Sequence, residues 1–596
     1  MARKCLSIQF MVVPHVCVCF FPVSLSPCPH LQNPIVPCLA AQPLLLPVPA
    51  MSNIPAMRFE CLGPQDVPHL SRLTSSYFTD FPSVRKYYDH PPTLEGLRTA
   101  AATAGKGGVP RASIVSALRL VNDRFGSDVS VARSLDRLAE GAVAIVAGQQ
   151  TGLFSGPAYA LYKVLTAIRI ADELTSGGLD AVPVFWLASE DHDLAEVDHC
   201  DWPARSGLER IELPHDAEAE GRPVGDILLG PAIDSALRSA LAALDGPGEA
   251  AVASALRDSY TPADSYSSAC GKLLARLLAG RGLVLLDPHE PPIAALAAPI
   301  LAAALRENSA IISGLIKRDR DLDHSGFHAQ VKVTETATLL FAKIEGRRIP
   351  LRTRNSSFQA GAHSFTLEEL LALAQRSPGD LSPSALLRPV VQDSLLPTAA
   401  CIVGPAELAY FAQSQVVYRR LLGRMPAVLP RAGFTLIEPH VARLLRKYSL
   451  TVRDVFRGRQ HLRRKLERES VPRALARQMS LGERNLRRYL TRIRKPLRKL
   501  EPTLSGALDL SERKMLYQLE KLRARAGRAA DRRAELLDHH ERILREALAP
   551  HHDLQERTLC VLPILARHGL SVLDGLLDRS ANLACLTASC HHLAYL

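Results

Sequence analysis

The feature that most constrains the fold is a strand–loop–helix–strand pattern between residues 140 and 193. An apolar run at residues 142–147 leads into the loop GQQTGLFSGP, and apolar residues then recur at helical spacing along residues 158–174. A second apolar run follows at residues 182–188. Two buried strands joined by a crossover helix form a βαβ unit, which implies a parallel sheet. The sequence therefore predicts an α/β body.

Other segments extend this body. Residues 282–287 and 399–404 are short apolar runs typical of buried strands, and Pro405 opens a helical pattern after the second. Residues 336–351, TATLLFAKIEGRRIPL, alternate in polarity and turn near Gly346. This pattern predicts a β-hairpin inserted into the α/β body.

Positive charge is concentrated in one region of the chain. The formal net charge is +12, yet residues 441–500 alone hold 20 Lys and Arg against four acidic residues. The rest of the chain is therefore at −4. A basic segment, and not a basic protein, needs an explanation. Its arginines form either a solvated helix face or a surface that binds RNA.

The same region predicts a coiled-coil hairpin. Apolar residues step by four and three along residues 486–504, and again along residues 515–547. Two long helices with matching apolar stripes, broken at Pro496, Pro502 and Gly506, predict an antiparallel coiled coil.

Four further leucines widen the apolar stripe beyond what two helices need, and a second copy of the chain is expected to cover them in a homodimer. These are Leu516, Leu537, Leu544 and Leu548.

The first fifty residues differ from the rest. They hold five of the twelve cysteines, nine prolines and no acidic residue. A signal peptide is one interpretation, although Pro14 and Pro22 interrupt its apolar run. The other is an upstream start, with Met51 or Met57 opening the conventional chain and residues 1–50 left unpacked. No other stretch has the length of a membrane span free of charge.

The cysteines indicate a reducing compartment. No Cys-x-x-Cys pair occurs, so the spacing predicts neither a zinc knuckle nor a disulfide framework.

Candidate binding residues follow the predicted strands. In open parallel sheets ligands bind beyond the carboxyl ends of the strands, where the glycine loop, Asp287 and the GPAE stretch at residues 404–407 are expected. The glycine spacing matches neither GxGxxG nor GxxxxGK[ST], so a purely structural turn is the alternative. Polar side chains at the start of a helix nevertheless favour an anion, and Lys163 lies about two helical turns inside.

The stretch SEDHD at residues 189–193 runs directly on from the second buried strand. Its ionisable residues are Glu190, Asp191, His192 and Asp193. A buried strand end holds such groups in a partly desolvated place, which favours function over a solvated loop with a helix cap.

Hydrolase chemistry has weaker support. His192, His199 and Cys200 match no zinc-site spacing, and Ser155 lies one place too late for the GxSxG nucleophile motif. No metal is predicted.

Four separated blocks carry a family resemblance. They are GQQTGLFSGPAYALYK, VPVFWLASEDHDLAEVDH, RPVVQDSLLPTAACIVGPAELAYFAQ and LQERTLCVLPILARHG. In this order they resemble the BshC family, the bacillithiol biosynthesis cysteine-adding enzymes. The resemblance spans roughly residues 55–596 and leaves out the first fifty.

The resemblance implies a Rossmann-like α/β core with inserted segments, a long antiparallel α-helical coiled-coil arm, and a cytoplasmic protein that dimerises. The corresponding boundaries are residues 51–442 for the core, 443–549 for the arm and 550–596 for a C-terminal segment that packs back on the core. The implied reaction is the last step of bacillithiol synthesis, which joins the cysteine carboxyl group to the amine of glucosaminyl malate.

Such a ligation needs an activated carboxyl group, for which ATP or ADP is the expected nucleotide, and a base that takes the ammonium proton. His192 or Asp191 is the predicted base, with Glu190 and Asp193 binding ammonium or sugar hydroxyls. The predicted substrate- or nucleotide-binding residues are Gly148, Gln149, Gln150, Thr151, Gly152, Ser155, Gly156, Lys163, Trp186, Ser189, Arg388, Gln392, Asp393, Gly404, Pro405 and Glu407. Arg388 and Lys163 suit the malate carboxylates. The HxGH signature of class I synthetases is absent.

Three functions remain open at this point. The first is a cysteine ligase acting on small molecules. The second is a synthetase-like RNA-binding protein with a basic helical arm, and the third is a metal-dependent hydrolase.

Overall fold

The computed structural model describes residues 57–106, 108–355, 357–468, 473–581 and 590–596. The predicted N-terminal extension, residues 1–50, lies outside the described residues. The strands are β1 Arg58–Leu62, β2 Val143–Gln149, β3 Ala181–Leu187, β4 His199–Ala204, β5 Gly207–Glu212, β6 Val284–Leu286, β7 Ala337–Ile344, β8 Arg347–Arg354, β9 Ser357–Ala360, β10 His363–Phe365, β11 Leu381–Pro383, β12 Thr398–Val403, β13 Ala427–Pro430, β14 Gly433–Ile437 and β15 His591–Tyr595.

The α-helices alternate with these strands in the first part of the chain and dominate the second. They are α1 Arg72–Thr79, α2 Phe81–Val84, α3 Leu94–Thr103, α4 Arg111–Phe125, α5 Val129–Glu140, α6 Tyr159–Ser176, α7 Leu194–Val197, α8 Ile233–Ala242, α9 Glu249–Ser259, α10 Tyr266–Leu277, α11 Pro291–Arg306, α12 Asn308–His324, α13 Leu367–Arg376, α14 Arg388–Leu395, α15 Pro405–Leu421, α16 Pro439–Lys447, α17 Val452–Phe456, α18 Arg459–Arg468, α19 Arg473–Leu500, α20 Leu504–Leu548, α21 Gln555–Thr558, α22 Leu562–His568 and α23 Val572–Arg579.

A five-stranded parallel sheet in the order β13-β12-β2-β3-β6 forms the core. The apolar runs predicted as buried strands are β2, β3, β6 and β12, and the predicted crossover helix is α6. All seven residues of β3 are buried, because helices cover both faces of a parallel sheet. The predicted α/β fold class is confirmed.

The predicted hairpin is present as β7 and β8, which pair antiparallel around Glu345 and Gly346. It belongs to a larger sheet in the order β10-β9-β8-β7-β11. Both turn residues have positive φ, a conformation that glycine adopts without strain. This inserted sheet brings a side chain of β8 to the edge of the core sheet, as described below.

A third sheet, β1-β15-β14, brings the two ends of the described chain together. Cys61 at the end of β1 and Cys590 just before β15 form a disulfide between residues 529 positions apart. The cysteine spacing predicted no disulfide, and this prediction is wrong for this pair. Spacing cannot reveal a bond between two strands that meet only in the folded chain.

The predicted coiled-coil arm is confirmed as the antiparallel helices α19 and α20. The predicted breaks are only partly right. Pro496 lies inside α19 and Gly506 inside α20, so the chain turns only around Pro502.

The leucines assigned to a second copy have a different partner. Leu537, Leu544 and Leu548 are buried against α16–α18 of the same chain, and Leu516 is half-buried. These three leucines therefore attach the arm to the body. The prediction that they need a second copy is wrong.

No single helix in the described ranges is long and apolar enough to cross a membrane. Only α11 and α12 taken together reach that length and composition, and they meet at a bend of 73°.

Candidate functional site

A cavity of about 340 Å³ opens where β2, β3 and β12 end. Residues after all three strands line it, because the carboxyl ends of parallel strands meet at one edge of the sheet. The predicted site residues that line this cavity are Gly148, Gln149, Gln150, Lys163, Trp186, Asp191, Arg388, Gln392, Gly404, Pro405 and Glu407. The structure therefore brings the glycine loop, the SEDHD stretch and the GPAE stretch to one place.

Lys163 lies at the floor of the cavity, on the buried face of α6. Its ammonium group donates to the carbonyl oxygen of Gly148 at 2.8 Å and to Gln149 Oε1 at 2.7 Å. It also forms an ion pair with Glu407 on α15. Burial lowers the pKa of Lys163, and the charge of Glu407 acts in the opposite direction. These three acceptors hold the ammonium group in one place at the floor of the cavity.

Asp191 is the most highly coordinated carboxylate at the sheet edge. Its Oδ2 accepts from Arg388 Nη2 at 3.0 Å and from Gln150 Nε2 at 3.1 Å. Its Oδ1 accepts from the backbone N–H of His192 at 2.9 Å and from Arg348 Nη1 at 3.3 Å. Burial acts to raise the pKa of Asp191, but hydrogen bonding with His192 and the two arginine charges hold it well below its usual range. Asp191 is therefore a permanent anion.

The residues next to Asp191 in the sequence do not line this cavity. Glu190 lies beside a separate small cavity, where burial raises its pKa to about 7. The Nδ1 atom of His192 lies 2.9 Å from Arg348 Nη1, and the imidazole lies outside the cavity lining. Asp193 is exposed, and Ser189 donates to Asp287 behind the sheet edge. Of the four predicted catalytic residues, only Asp191 lines the cavity.

The second half of the glycine loop is part of the core. The N–H of Ser155 donates to Tyr260, and the N–H of Gly156 donates to the carbonyl of Leu153. A Cβ added to Gly152 would lie 2.9 Å from the Cα of Gly156. The glycines thus permit a tight buried turn, and Gly152, Ser155 and Gly156 do not line the cavity.

Two other predicted residues are also structural. Asp393 is buried away from the cavity and accepts from Tyr418 at 2.6 Å. Thr151 is fully buried and does not line the cavity.

The sequence did not predict several polar residues of the sheet edge. Tyr159, Glu196, Arg431 and Arg557 line the cavity, and Arg348 reaches Asp191 from β8. Glu196 and Arg557 lie inside blocks already singled out, so their charge was a usable signal. Arg348 and Arg431 lie far from those blocks, and only the tertiary fold brings them close.

Several buried polar atoms near the cavity have no hydrogen-bond partner among the described residues. They include Gln150 Oε1, Trp186 Nε1 and Arg388 Nε, which belong to residues lining the cavity. Buried polar groups are nearly always paired, so unpaired groups around one cavity indicate a polar ligand.

Fold and cavity together define a class of protein. It is a Rossmann-like α/β protein that presents a charged cavity at the carboxyl edge of its parallel sheet and carries a helical coiled-coil arm. Residues 57–432 match the family described as "Bacillithiol biosynthesis BshC, N-terminal Rossmann-like domain". Residues 434–585 match "Bacillithiol biosynthesis BshC, C-terminal coiled-coil domain". The chain belongs to the BshC family.

Curated relatives are similar over nearly their whole length. A protein of Koribacter versatilis is 39% identical over 522 residues, which cover 87% of this chain and 97% of the relative. A protein of Solibacter usitatus is 38% identical over 518 residues, covering 87% and 96%. One of Symbiobacterium thermophilum is 32% identical over 535 residues, covering 85% and 95%. Each carries the name "Putative cysteine ligase BshC".

Proposed function

We propose that this chain is a cysteine ligase of bacillithiol biosynthesis. It joins the carboxyl group of cysteine to the amine of glucosaminyl malate, as the last step. Family membership and the name of the relatives support the ligase class. The observation that carries the proposal is the charge pattern of the cavity, where fixed cations and fixed carboxylates face the same space.

The cations suit the dicarboxylate end of glucosaminyl malate. Arg388 lines the cavity and presents a guanidinium group, which binds carboxylates in a planar, bidentate manner. Lys163 adds a point charge at the floor. The carboxylates of Glu407 and Asp191 suit the ammonium group of cysteine, and the unpaired Trp186 N–H suits a sugar hydroxyl.

Glu196 is the proposed base in place of Asp191 and His192. An amine attacks a carbonyl carbon only as the free base, so a carboxylate must take its proton. The pKa of Glu196 is raised by burial and by the nearby charges of Asp193 and Asp191. Asp191 cannot serve as the base because its hydrogen bonds and its two arginine partners keep its pKa too low for it to accept a proton. Glu196 is a stronger proton acceptor at the same edge.

A nucleotide, ATP in this proposal, would supply the activated carboxyl group. The N–H groups of Ser155 and Gly156 do not suit its phosphates, because both are already bonded within the protein. Arg557 suits them better, since it lines the cavity beyond β12 and its side chain is exposed. Arg431, whose Nη atoms are bonded to Glu556, adds its charge at the same cavity. Arg431 also lies over the ring of Tyr159, with 5.6 Å between the guanidinium carbon and the ring centroid.

The test is to incubate the pure protein with glucosaminyl malate, cysteine and ATP and to look for the conjugate by mass. Glu196→Gln should lower turnover by about a hundredfold with little change in KM, which is the usual contribution of general base catalysis. The matched control is Asp234→Asn, an exposed acidic residue of α8. No conjugate with the intact protein would refute the ligase proposal, and unchanged turnover in Glu196→Gln would refute the assigned base.

We also propose that the protein acts in the cytoplasm as a homodimer that associates through the arm. Large apolar side chains remain exposed on α19 and α20, including Leu500 at 80% and Tyr517 at 60%. Apolar surface of this kind favours an interface. Sedimentation should show a dimer that Tyr517→Glu dissociates, whereas Leu120→Glu on the exposed face of α4 does not. A monomeric intact protein that retards tRNA at physiological salt would favour RNA binding by the arm.

Metal-dependent hydrolysis has no structural support within the described ranges. No group of three or more His, Cys, Asp or Glu is placed there so that it could hold a metal ion.

A further inference from the structure

A second cavity, of about 470 Å³, adjoins the candidate site. Arg431 and Arg557 line both cavities, as do Val403 and Pro405 at the end of β12. The second cavity is bounded on its far side by Cys590, His591 and His592, at the start of β15. It therefore extends from the carboxyl edge of the core sheet to the disulfide that joins the ends of the described chain.

The two sulfur atoms of this disulfide have different surroundings. Cys61 is exposed to solvent on β1, whereas Cys590 is half-buried and lines the second cavity. The other cysteines of the described ranges, Cys200, Cys270, Cys401 and Cys560, are free and buried. In the described part of the chain, Cys401 lines the candidate-site cavity and Cys590 lines the second cavity, and of the two only Cys590 is in a disulfide.

The location of the protein makes this disulfide unusual. Disulfides of proteins in reducing compartments are mostly transient, and they serve catalysis or redox sensing. This step rests on the proposed function, which places the protein in the cytoplasm and makes its product a small thiol. A bond that is reachable from a cavity beside the site of thiol synthesis is well placed to react with such a thiol.

Two side chains at the second cavity, His592 and Arg579, suit this exchange. His592 Nδ1 lies 3.7 Å from Cys590 Sγ. Burial and the nearby charges of His591 and Arg579 lower the pKa of His592 to about 4, so the imidazole is neutral and suits the S–H group of an incoming thiol as a hydrogen-bond acceptor. Arg579 lines the same cavity, lies over the ring of Phe59, and has no acidic partner among the described residues. Its free guanidinium suits a carboxylate of the incoming thiol.

We propose that Cys590 is a site of reversible thiol–disulfide exchange with a small, carboxylate-bearing thiol that enters the second cavity. The thiolate attacks Cys590 Sγ, the Cys590–Cys61 bond breaks, and its electron pair leaves on Cys61 Sγ, which takes a proton from solvent. A second molecule of the thiol attacks the sulfur of the first, which releases Cys590 as a thiolate beside His592. Two thiols are oxidised to one small disulfide, and the protein disulfide is reduced to two thiols.

Cys590 is also close to residues that support the candidate ligation site. β15 pairs with β14, whose first residues contact Glu556: the backbone N–H of Phe434 donates to Glu556 Oε2 at 2.8 Å. Glu556 in turn holds Arg431, which lines the candidate site. Cys590 is therefore two residues from His592, which pairs with Phe434 beside this support of Arg431.

The test uses the full-length chain with glutathione, which carries carboxylates, and cysteamine, which carries none. The Cys61→Ser variant lacks the partner sulfur, so glutathione disulfide should leave one glutathione per chain on the peptide that contains Cys590. Peptide mapping by mass separates this adduct from adducts on other peptides, and fragmentation of the peptide of residues 580–596 separates Cys590 from Cys585. Arg579→Gln should slow the glutathione reaction about fivefold and leave the cysteamine reaction unchanged, as expected when one ion pair is lost.

Cys270→Ser is the matched control, because its sulfur is buried and remote from the cavity. Thermal unfolding of each variant shows that the fold is retained. Adducts spread over other cysteines without preference for Cys590, or equal rates for Arg579→Gln and the parent with glutathione, would overturn the proposal. None of these readouts uses ligation, so the exchange site and the ligase proposal can fail separately.

Discussion

Two arginine–carboxylate clusters of this protein have the same chemistry and opposite surroundings. Arg431 and Glu556 pair beside the candidate site with side-chain exposures of 6% and 3%. Arg494 on the arm pairs with Asp509, and these side chains are 42% and 50% exposed. Water screens the second pair and not the first. The comparison shows that the burial of a charged pair, and not its presence alone, decides how much its loss changes the free energy of unfolding.

The buried pair is also more completely bonded. Arg431 donates to both oxygens of Glu556, at 3.0 and 2.6 Å, and to the carbonyl of Ala432 at 2.9 Å. Burial acts to raise the pKa of Glu556, but Arg431 keeps it below its usual value. If either member is lost, the other is left as an unpaired charge inside the protein.

Removing Arg431 should therefore have the largest effect. Arg431→Gln leaves Glu556 buried without its cation, which costs about 3–5 kcal/mol of unfolding free energy. It should also reduce ligation, because Arg431 lines the cavity. Urea unfolding measures the first effect and conjugate formation the second.

The double variant Arg431→Gln, Glu556→Gln distinguishes the cost of an isolated buried charge from the contribution of the pair itself. It should recover much of the lost stability, since no isolated charge remains buried. A single variant as stable as the parent would show that the buried pair behaves like an exposed one.

Neutralising Asp191 should have the next largest effect. Asp191→Asn leaves Arg348 and Arg388 facing each other without the anion between them, at a cost of about 2–3 kcal/mol because the site is partly open to water. Arg348→Met combined with Asp191→Asn should restore part of that stability. Unchanged urea midpoints in Asp191→Asn would place this cluster with the solvent-screened pairs.

The sequence predicted the parallel sheet well, because buried strands and their crossover helix leave a local pattern. The runs that became β2, β3 and β12 needed only polarity and spacing. The meeting of the strand-end motifs followed from a general rule of parallel sheets. Many of the polar residues predicted at this edge of the sheet therefore line the observed cavity.

What failed was the assignment of individual side chains. Glu190 and Asp191 are adjacent, yet they belong to two cavities, since successive residues after a strand point in different directions. Arg348 arrives from the inserted sheet and Arg431 from beyond β13, at a distance in sequence that no local pattern bridges. The arm leucines failed for the same reason, because the surface that covers them is made by α16–α18.

The buried carboxyl group of Glu190 extends the comparison to the pH dependence of stability. Burial raises its pKa to about 7 from an ordinary 4.5, although Arg388, Arg348 and His289 oppose the shift. A raised pKa means that the folded state binds the proton more tightly, so its stabilising contribution is full below about pH 4.5 and is lost as the pH rises through 7. The free energy of unfolding of Glu190→Gln, measured relative to the parent, should therefore rise by about 2 kcal/mol between pH 5 and pH 8.5.

The control for this pH effect is Glu209→Gln on the exposed edge of β5. Its stability should follow that of the parent at every pH. Parallel stability curves for Glu190→Gln and the parent would mean that Glu190 stays ionised in the fold.

The smallest effect should come from the exposed cluster on the arm. Arg494 donates to Asp509 at 2.6 Å and to Glu512 at 3.0 Å, which are good distances for charged hydrogen bonds. The same water that solvates these side chains in the pair also solvates them apart, so Arg494→Gln should leave the urea midpoint within error. Arg431→Gln makes the identical change in side-chain chemistry, so the two variants differ only in position. A loss of stability in Arg494→Gln that disappears at high salt would show that the arm pair is coupled to a wider network, and one that persists at high salt would show that the arm surface is covered in solution.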